Sequence, residues 1–584
     1  MYTASTAFLE ALQEAGVSYI FANFGSDHPG LMEALAEGAA QGRGYPRVIT
    51  CPSEMVALSC AQGYAQVSGR AQAVVVHVEC GTQSLGCAVH NAAKGRAPVL
   101  IYAGLSPATQ DGELKGSRNE FIQWIQDVSD QRGIVRGYVK YDNEFRTSRN
   151  VKQLVHRALQ IAQSEPCGPV YLVGAREVME APCEPCALDP ARWSALGPVA
   201  VPEEALARIV AALSAARRPL IVTSYVGRDP AAVGELVRLC HTLGIGVLES
   251  VPNFANYPHD DPFYQGNQWN HPFQNPLLAQ ADVVLVLDSD VPWIPTVSKP
   301  SAAATIFHLD TDPLKESTPL WYIGAHESYR ATARLALRQM NACLEAHPPE
   351  AAGCRERRAH FGRLHAERVA MLAAAEQPRA GTITPEYLTA RIRAHLDGPT
   401  IILSEGVTNY PAICDHIGPV PAGSYFNSGG GSLGWNGGAA IGAKLARPDS
   451  TVVALTGDGS YLFSVPSSVH WIARRYHTPF LQVVYNNGGW KAPRFSALSV
   501  HPDGYASRAE DLSLSFSPAP DYAGIAAAAG GAFARQVRDP AQLDEALAEA
   551  FDAVRHGGRA AVPRPRRARA PAPRAGCRRP IRAR

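Results

Sequence analysis

Short runs of β-branched and other apolar residues recur along the chain, each followed by a stretch with apolar positions at helical spacing. The runs include VSYIFANFG, AQAVVVHVEC, PVLIYAG, PLIVTSYVG, DVVLVLDSD, TIFHLDTD, TIILSEG, STVVALTGDG and TPFLQVVYNN. Strand then helix, repeated, predicts an α/β fold of doubly wound parallel sheets, because a parallel neighbour is reached only through a crossover. Two Pro-rich stretches interrupt the pattern, Glu180 to Pro202 and His347 to Pro385, the second around a charged helical segment, RERRAHFGRLHAERVAMLAAAE. Three α/β domains are therefore expected, at 1–180, 190–345 and 375–562.

The chain has 584 residues, enough for roughly three to four domains at about 150 residues each. Hydrophobic residues make up 46% and charged residues 18%, which excludes a largely disordered protein. Lys and Arg number 54 against 53 Asp and Glu, so no global field draws the molecule to nucleic acid or to an anionic membrane. Nine of the Arg lie in the segment 563–584, PRPRRARAPAPRAGCRRPIRAR; setting them aside leaves 45 cations against 53 acids, a mildly acidic body. That tail has almost nothing to bury and is expected to be disordered. A basic nucleic-acid arm is one reading of it, and a shifted reading frame near Val562 another, since HGGRAAV reads as the start of an unfinished strand. The expectation is no nucleic-acid partner.

No apolar run approaches the ~18 to 20 residues of a membrane span, and the start MYTASTAFLEALQEAG lacks the pattern of a secretory signal, so a cytoplasmic protein without a membrane partner is expected. Most of the 12 cysteines sit in apolar or Gly-rich stretches, where a thiol acts as a small hydrophobe. Cys183 and Cys186 form a CxxC, but no second pair follows and Pro182 and Pro185 place them in a linker.

The strongest chemical signal is GDGS, Gly457 to Ser460, after the strand TVVALT, with Asn486 and Asn487 ending the strand LQVVY one crossover later. Backbone N–H groups at such strand ends suit a diphosphate, and Asp458 is placed for a hard cation that shares its oxygen ligands with phosphate, as Mg²⁺ does.

This GDG, crossover and NN arrangement resembles the thiamine diphosphate-dependent enzymes of the acetolactate synthase, pyruvate decarboxylase and benzoylformate decarboxylase type. The resemblance implies three domains (pyrimidine-binding, central and diphosphate-binding), with Gly457, Asp458, Gly459, Ser460 and Asn487 at the cofactor. Mg²⁺ would be held by Asp458, Asn487 and the main-chain oxygen of Gly489. NSGGGSLGWNGGAAIGAKLARP, Asn427 to Pro448, is similar to the family segment in which a bulky apolar residue wedges between the cofactor rings; Leu433 stands there. SEMVALSCAQGYAQVSG, Ser53 to Gly69, looks like the family's cofactor-activating helix. Its Glu54 would hydrogen-bond N1′ of the aminopyrimidine and favour the imino tautomer that removes the thiazolium C2 proton, and burial is expected to raise its pKa. In the family this glutamate and the metal site come from different subunits, which implies a homodimer, often paired into a homotetramer.

HVECGTQSLGCAVHNAAKGRAP, His77 to Pro98, carries Glu79, Cys80 and Gly81 where acetolactate synthases usually have Gly-Pro-Gly, and resembles benzoylformate decarboxylase more closely. That makes His77 a candidate proton-transfer residue. IQDVSDQRGIVRGYVKY is similar to the acetolactate synthase stretch that brings a Gln near the thiazolium, and Gln126 is its equivalent. DGELKGSRNE lacks the adjacent His pair of pyruvate decarboxylases, and Pro295 stands where benzoylformate decarboxylase has its second histidine. The loop FGSDHPG inserts Asp27 and His28 on the expected substrate side, where a solvated loop is the bland reading. In acetolactate synthases the central domain binds FAD with an acid near Asp310, but no GxGxxG turn accompanies it here, and FAD is not the expectation. The resemblance implies decarboxylation of a 2-oxo acid with carboligation, the alternatives being aldehyde release by a lyase and a catalytically silent cofactor-binding regulator.

Overall fold

A computed structural model describes residues 1–556. The tail 563–584 and most of HGGRAAV, on which the disorder and reading-frame expectations rest, lie outside the described residues. Three parallel sheets follow one another along the chain, as the alternation of strand and helix predicts. The first is made of β1 (Tyr19–Ala22), β2 (Arg47–Thr50), β3 (Gln72–Val76), β4 (Val99–Leu105), β5 (Tyr141–Phe145) and β6 (Val170–Ala175), in the order β2-β1-β3-β4-β6-β5. The second holds β7 (Pro219–Thr223), β8 (Gly246–Ser250), β9 (Tyr264–Gln268), β10 (Val283–Leu287), β11 (Thr305–Asp310) and β12 (Glu327–Arg330), in the order β12-β11-β10-β7-β8-β9. The third contains β13 (Thr400–Glu405), β14 (Tyr425–Asn427), β15 (Thr451–Gly457) and β16 (Leu481–Tyr485), in the order β14-β13-β15-β16. Strands such as β3, QAVVV, and β10, VVLVL, are buried along their whole length because helices cover both faces of a parallel sheet.

The charged segment after His347 forms the helix Ala351–Ala375, which contributes more than a bridge. Its Phe361 joins the core of the second sheet, and the buried Arg357 donates to the carbonyls of Leu243 and Ala216 at 2.8 and 2.6 Å. Cys183 and Cys186 are free thiols on an irregular segment.

One interdomain contact sets the site. The helices Glu54–Ser68 and Trp435–Ala446 pack so closely that a Cβ on Gly442 would lie 1.9 Å from the Cys60 carbonyl oxygen, and one on Gly63 2.4 Å from that of Ala439. Gln62 and Gln66 close the seam by donating to the carbonyls of Ser428 and Asn427, at 2.8 and 2.9 Å. The seam ties the first sheet to the Gly-rich segment of the third, so both candidate half-sites are carried on one rigid frame.

Candidate active site

At the carboxyl end of the third sheet, β15 runs straight into Asp458, which is 3% exposed. Its Oδ1 accepts the Gly459 N–H at 2.8 Å, and its Oδ2 accepts those of Gly488 and Gly489 at 2.8 and 2.9 Å. These bonds clamp the turn after β16 against the carboxylate. The turn can close because Gly488 and Gly489 take φ of +79° and +143°, which side chains resist, and because a Cβ on Gly489 would meet the Leu514 oxygen at 2.1 Å. Asn487, on the same turn, donates from Nδ2 to Thr408 Oγ1 at 3.3 Å, while its buried Oδ1 has no partner among the described residues. A buried carboxylate beside an orphaned amide oxygen fits a hard cation with oxygen ligands. Among the described residues no three His, Cys, Asp or Glu side chains converge as a metal site, so a cation here would need amide and main-chain oxygens as well.

Gly459 lies under Trp490, whose ring a Cβ would approach to 2.3 Å, and Ser460 is buried behind it. Leu433 is half-exposed, just before the Trp435–Ala446 helix, and lies outside every hydrophobic cluster among the described residues. The neighbouring Glu405, which sequence reasoning missed, ends β13 and is 1% exposed; it accepts the N–H groups of Gly434 and Asn436 at 2.6 and 2.7 Å. Burial pushes its carboxyl up to about 8, against those hydrogen bonds. The only sequence signal was an acid at a strand end in TIILSEG.

The second group of residues gathers at the carboxyl ends of β1, β2 and β3, joined by Gln126 from the segment after β4. Glu54 opens the Glu54–Ser68 helix and accepts hydrogen bonds from Asn23 Nδ2 and Ser84 Oγ, both at 2.8 Å. Within the chain it is half-buried rather than enclosed, which corrects the expected burial: the helix start is open to solvent. His77 caps β3, with Nδ1 at 2.5 Å from Asp27 Oδ1 and Nε2 at 3.0 Å from Gln126 Oε1. Gln126 ends the short helix Ile122–Ile125 and is 4% exposed. Asp27 and His28 are likewise buried, so the solvated-loop reading of FGSDHPG does not hold. Glu79, in place of the usual Pro-containing loop, accepts from the Cys80 thiol at 2.8 Å, and this contact pushes the thiol up to about 11, away from thiolate chemistry at neutral pH. Pro295 lies in the irregular segment after β10.

No hydrogen bond among the described residues joins the Glu54 group to the Asp458 group. In the central domain, Asp310 at the end of β11 accepts from Lys315 at 2.7 Å and from Arg96, of the first domain, at 3.2 Å. Arg96 also reaches Asp288 and Asp290, at 3.2 and 2.7 Å. At the ends of β10 and β11, beside the point where the strand order reverses, these acids are thus engaged by Arg96 and Lys315. No helix of the described residues is long and apolar enough to cross a membrane.

Comparison with known proteins agrees with the three-domain α/β fold. Residues 2–134 match the N-terminal thiamine pyrophosphate binding domain of thiamine pyrophosphate enzymes, 206–331 the central domain and 406–562 the C-terminal thiamine pyrophosphate binding domain. The chain is 25% identical over 557 residues to the Pseudomonas aeruginosa protein named "Probable 2-ketoarginine decarboxylase AruI", covering 93% of this chain and 90% of that one. It is 24% identical over 498 residues to acetolactate synthase 1, chloroplastic, of Oryza sativa subsp. japonica, covering 82% and 72%. In fold it is similar to the thiamine diphosphate-dependent 4-hydroxybenzoylformate decarboxylase of Rhodococcus jostii RHA1, with a TM-score of 0.75 at 21% identity over 94% of this chain and 97% of that one. With three domains matched in order and the paired strand-end groups they carry, this chain belongs to the thiamine pyrophosphate enzyme family.

Proposed function

We propose that the protein decarboxylates a 2-oxo acid with thiamine diphosphate and Mg²⁺. The observations that carry this reading are the clamp of Asp458 on the turn that bears Asn487, whose Oδ1 has no partner among the described residues, in one domain, and the bonds of Glu54 to Asn23 and Ser84 in another. The cofactor supplies the electron sink for loss of CO₂. Asp458, Asn487 and the Gly489 carbonyl hold the metal, with Gly457, Gly459 and Ser460 lining the diphosphate end. Leu433, outside every core cluster among the described residues, would pack against the cofactor's rings. Glu54, fixed through both oxygens, holds a proton at the aminopyrimidine. The two groups meet across a homodimer interface; exposed Phe121, Ile125, Phe463 and Phe495, on the two domains that carry them, support such a contact.

The fate of the carbon that loses CO₂ divides the readings. Sequence favours carboligation through Gln126, whereas the structure bonds Gln126 to His77, and His77 to a buried carboxylate, which favours a proton donor there and release of an aldehyde. Aldehyde release is therefore our first reading and acetolactate synthase-like carboligation the second. The central domain is proposed to work without FAD, because Asp310 is already engaged by Arg96 and Lys315; flavin absorbance in the purified chain would refute that.

The test is CO₂ release from a panel of aliphatic and aromatic 2-oxo acids with Mg²⁺ and thiamine diphosphate, with products identified by NMR and Glu54→Gln as control. An aldehyde product is expected. An acyloin or acetohydroxy acid would establish carboligation instead. Cofactor binding without CO₂ release or accelerated C2-proton exchange would point to a silent binder and overturn the enzymatic reading.

A further inference from the structure

His77 stands between β3 and the helix Val78–Lys94, with an acceptor facing each ring nitrogen: Asp27 Oδ1 at 2.5 Å from Nδ1 and Gln126 Oε1 at 3.0 Å from Nε2. The other oxygen of Asp27 accepts the Val78 N–H at 3.0 Å; His28 Nδ1 lies 3.0 Å from the first but itself accepts the Gly25 N–H at 3.1 Å. Asp27 is 3% and His28 1% exposed, so the carboxylate depends on these partners rather than on water.

The surrounding backbone makes room for the pair. A Cβ on Gly25 would lie 1.9 Å from His77 Nδ1, and one on Gly104 2.1 Å from Asp27 Oδ2. Val78, whose N–H Asp27 accepts, holds φ at +33°, a costly conformation for a β-branched residue. Two glycines and a strained valine thus converge on one buried carboxylate and one imidazole whose side chain is still 24% exposed.

Gln126 is buried, and its Nε2 has no partner among the described residues. The amide orientation follows from the imidazole. A ring protonated on both nitrogens donates from Nε2, holding the Gln126 oxygen and leaving its buried NH₂ free for another acceptor. A neutral ring with its proton on Nδ1 leaves a lone pair at Nε2 and favours the flipped amide.

We propose that Asp27 is a positioning residue that keeps His77 doubly protonated, so that Gln126 presents its amide NH₂ to the carboxylate or nascent oxyanion of the substrate. The substrate end of this arrangement rests on the 2-oxo acid reading, whereas the charge on the imidazole does not. The hydrogen bond to Asp27, against the effect of burial, moves the His77 pKa up, and Glu54 adds to the effect. Burial would raise Asp27, but His28 and His77 outweigh it and hold the carboxyl below the usual carboxylate range. The groups facing the pair are His28 from the same loop, Glu54 from the adjoining helix, Tyr102 from β4 and Tyr171 from β6.

The test is ¹⁵N NMR of the histidine-labelled, cofactor-free full chain, with His77 identified by the signals lost in His77→Gln. Both His77 nitrogens are expected in the protonated range near pH 7.5, with titration moved to lower pH in Asp27→Asn. A neutral His77 at that pH in the unsubstituted protein, or a titration unmoved by Asp27→Asn, overturns the proposal; the first of these needs no Asp27 variant to fold. In the loaded enzyme, Asp27→Asn should lose about tenfold or more of kcat/KM near pH 8 and regain most of it near pH 6, where an imidazole is protonated unaided. An equal loss at both pH values marks Asp27 as merely structural and overturns the proposal. Absence of turnover with every acid would refute the proposed function, while the imidazole NMR would still decide the state of His77.

Discussion

Glu54→Gln is expected to bind thiamine diphosphate and Mg²⁺ as the unsubstituted protein does, yet to slow exchange of the cofactor's C2 proton by about a hundredfold or more. The substitution is nearly isosteric and leaves Asp458 and its turn untouched. The amide oxygen keeps the bond from Asn23 while its NH₂ turns to Ser84, whose hydroxyl can accept it, and the group carries no acidic proton to share with a ring nitrogen. Proton exchange followed by NMR after acid quench reads this step without any substrate, so the result does not depend on knowing the 2-oxo acid. Exchange at the unsubstituted rate would remove Glu54 from the catalytic assignment.

Asp458→Ala is expected to fail earlier, at retention of the cofactor and metal. The loss should exceed the roughly 10–100-fold that removal of an outer-shell partner of a metal ligand costs, because this carboxylate is proposed as a ligand itself. It also accepts three backbone N–H groups, so its removal leaves the Gly488–Gly489 turn without its clamp. Isothermal titration with Mg²⁺ and thiamine diphosphate measures the effect, and unchanged affinity would refute the metal assignment. The two variants together test the subunit arrangement. Refolded as a mixture, Glu54→Gln and Asp458→Ala chains can form a dimer with one intact site, whose activity neither variant has alone. No recovery would place both groups in a single chain.

The aldehyde reading and the Asp27 proposal follow from contacts that consecutive residues do not reveal. His77 is 50 positions from Asp27 and 49 from Gln126, and Glu54 is 31 from Asn23. Sequence could name His77, Gln126 and Glu54 one at a time, because each sits in a short segment that resembles one of the family's own. It could not join them, since which strand ends converge depends on the order β2-β1-β3-β4-β6-β5. The same limit explains Asp27 and His28. On a linear chain they read as polar residues in a turn, and only Gly104 on β4 opens the space that lets the carboxylate be buried. Glu405 was passed over for the converse reason: a strand-end acid is ordinary until the first N–H groups of a helix are brought onto it.

By itself, the sequence determined the three parallel α/β layers and the GDG and Asn-Asn turns, because strand period, Gly-rich turns and crossover length are local properties of the chain, and it reached the cofactor family through the resemblance those turns carry. Only the tertiary structure decided that Glu54 stays half-open, that Arg96 engages the acids of the central domain and that Asp27, His77 and Gln126 form one hydrogen-bonded line. Those features depend on the close packing of elements far apart in sequence, where a missing Cβ or a buried charge matters only against its neighbour in space.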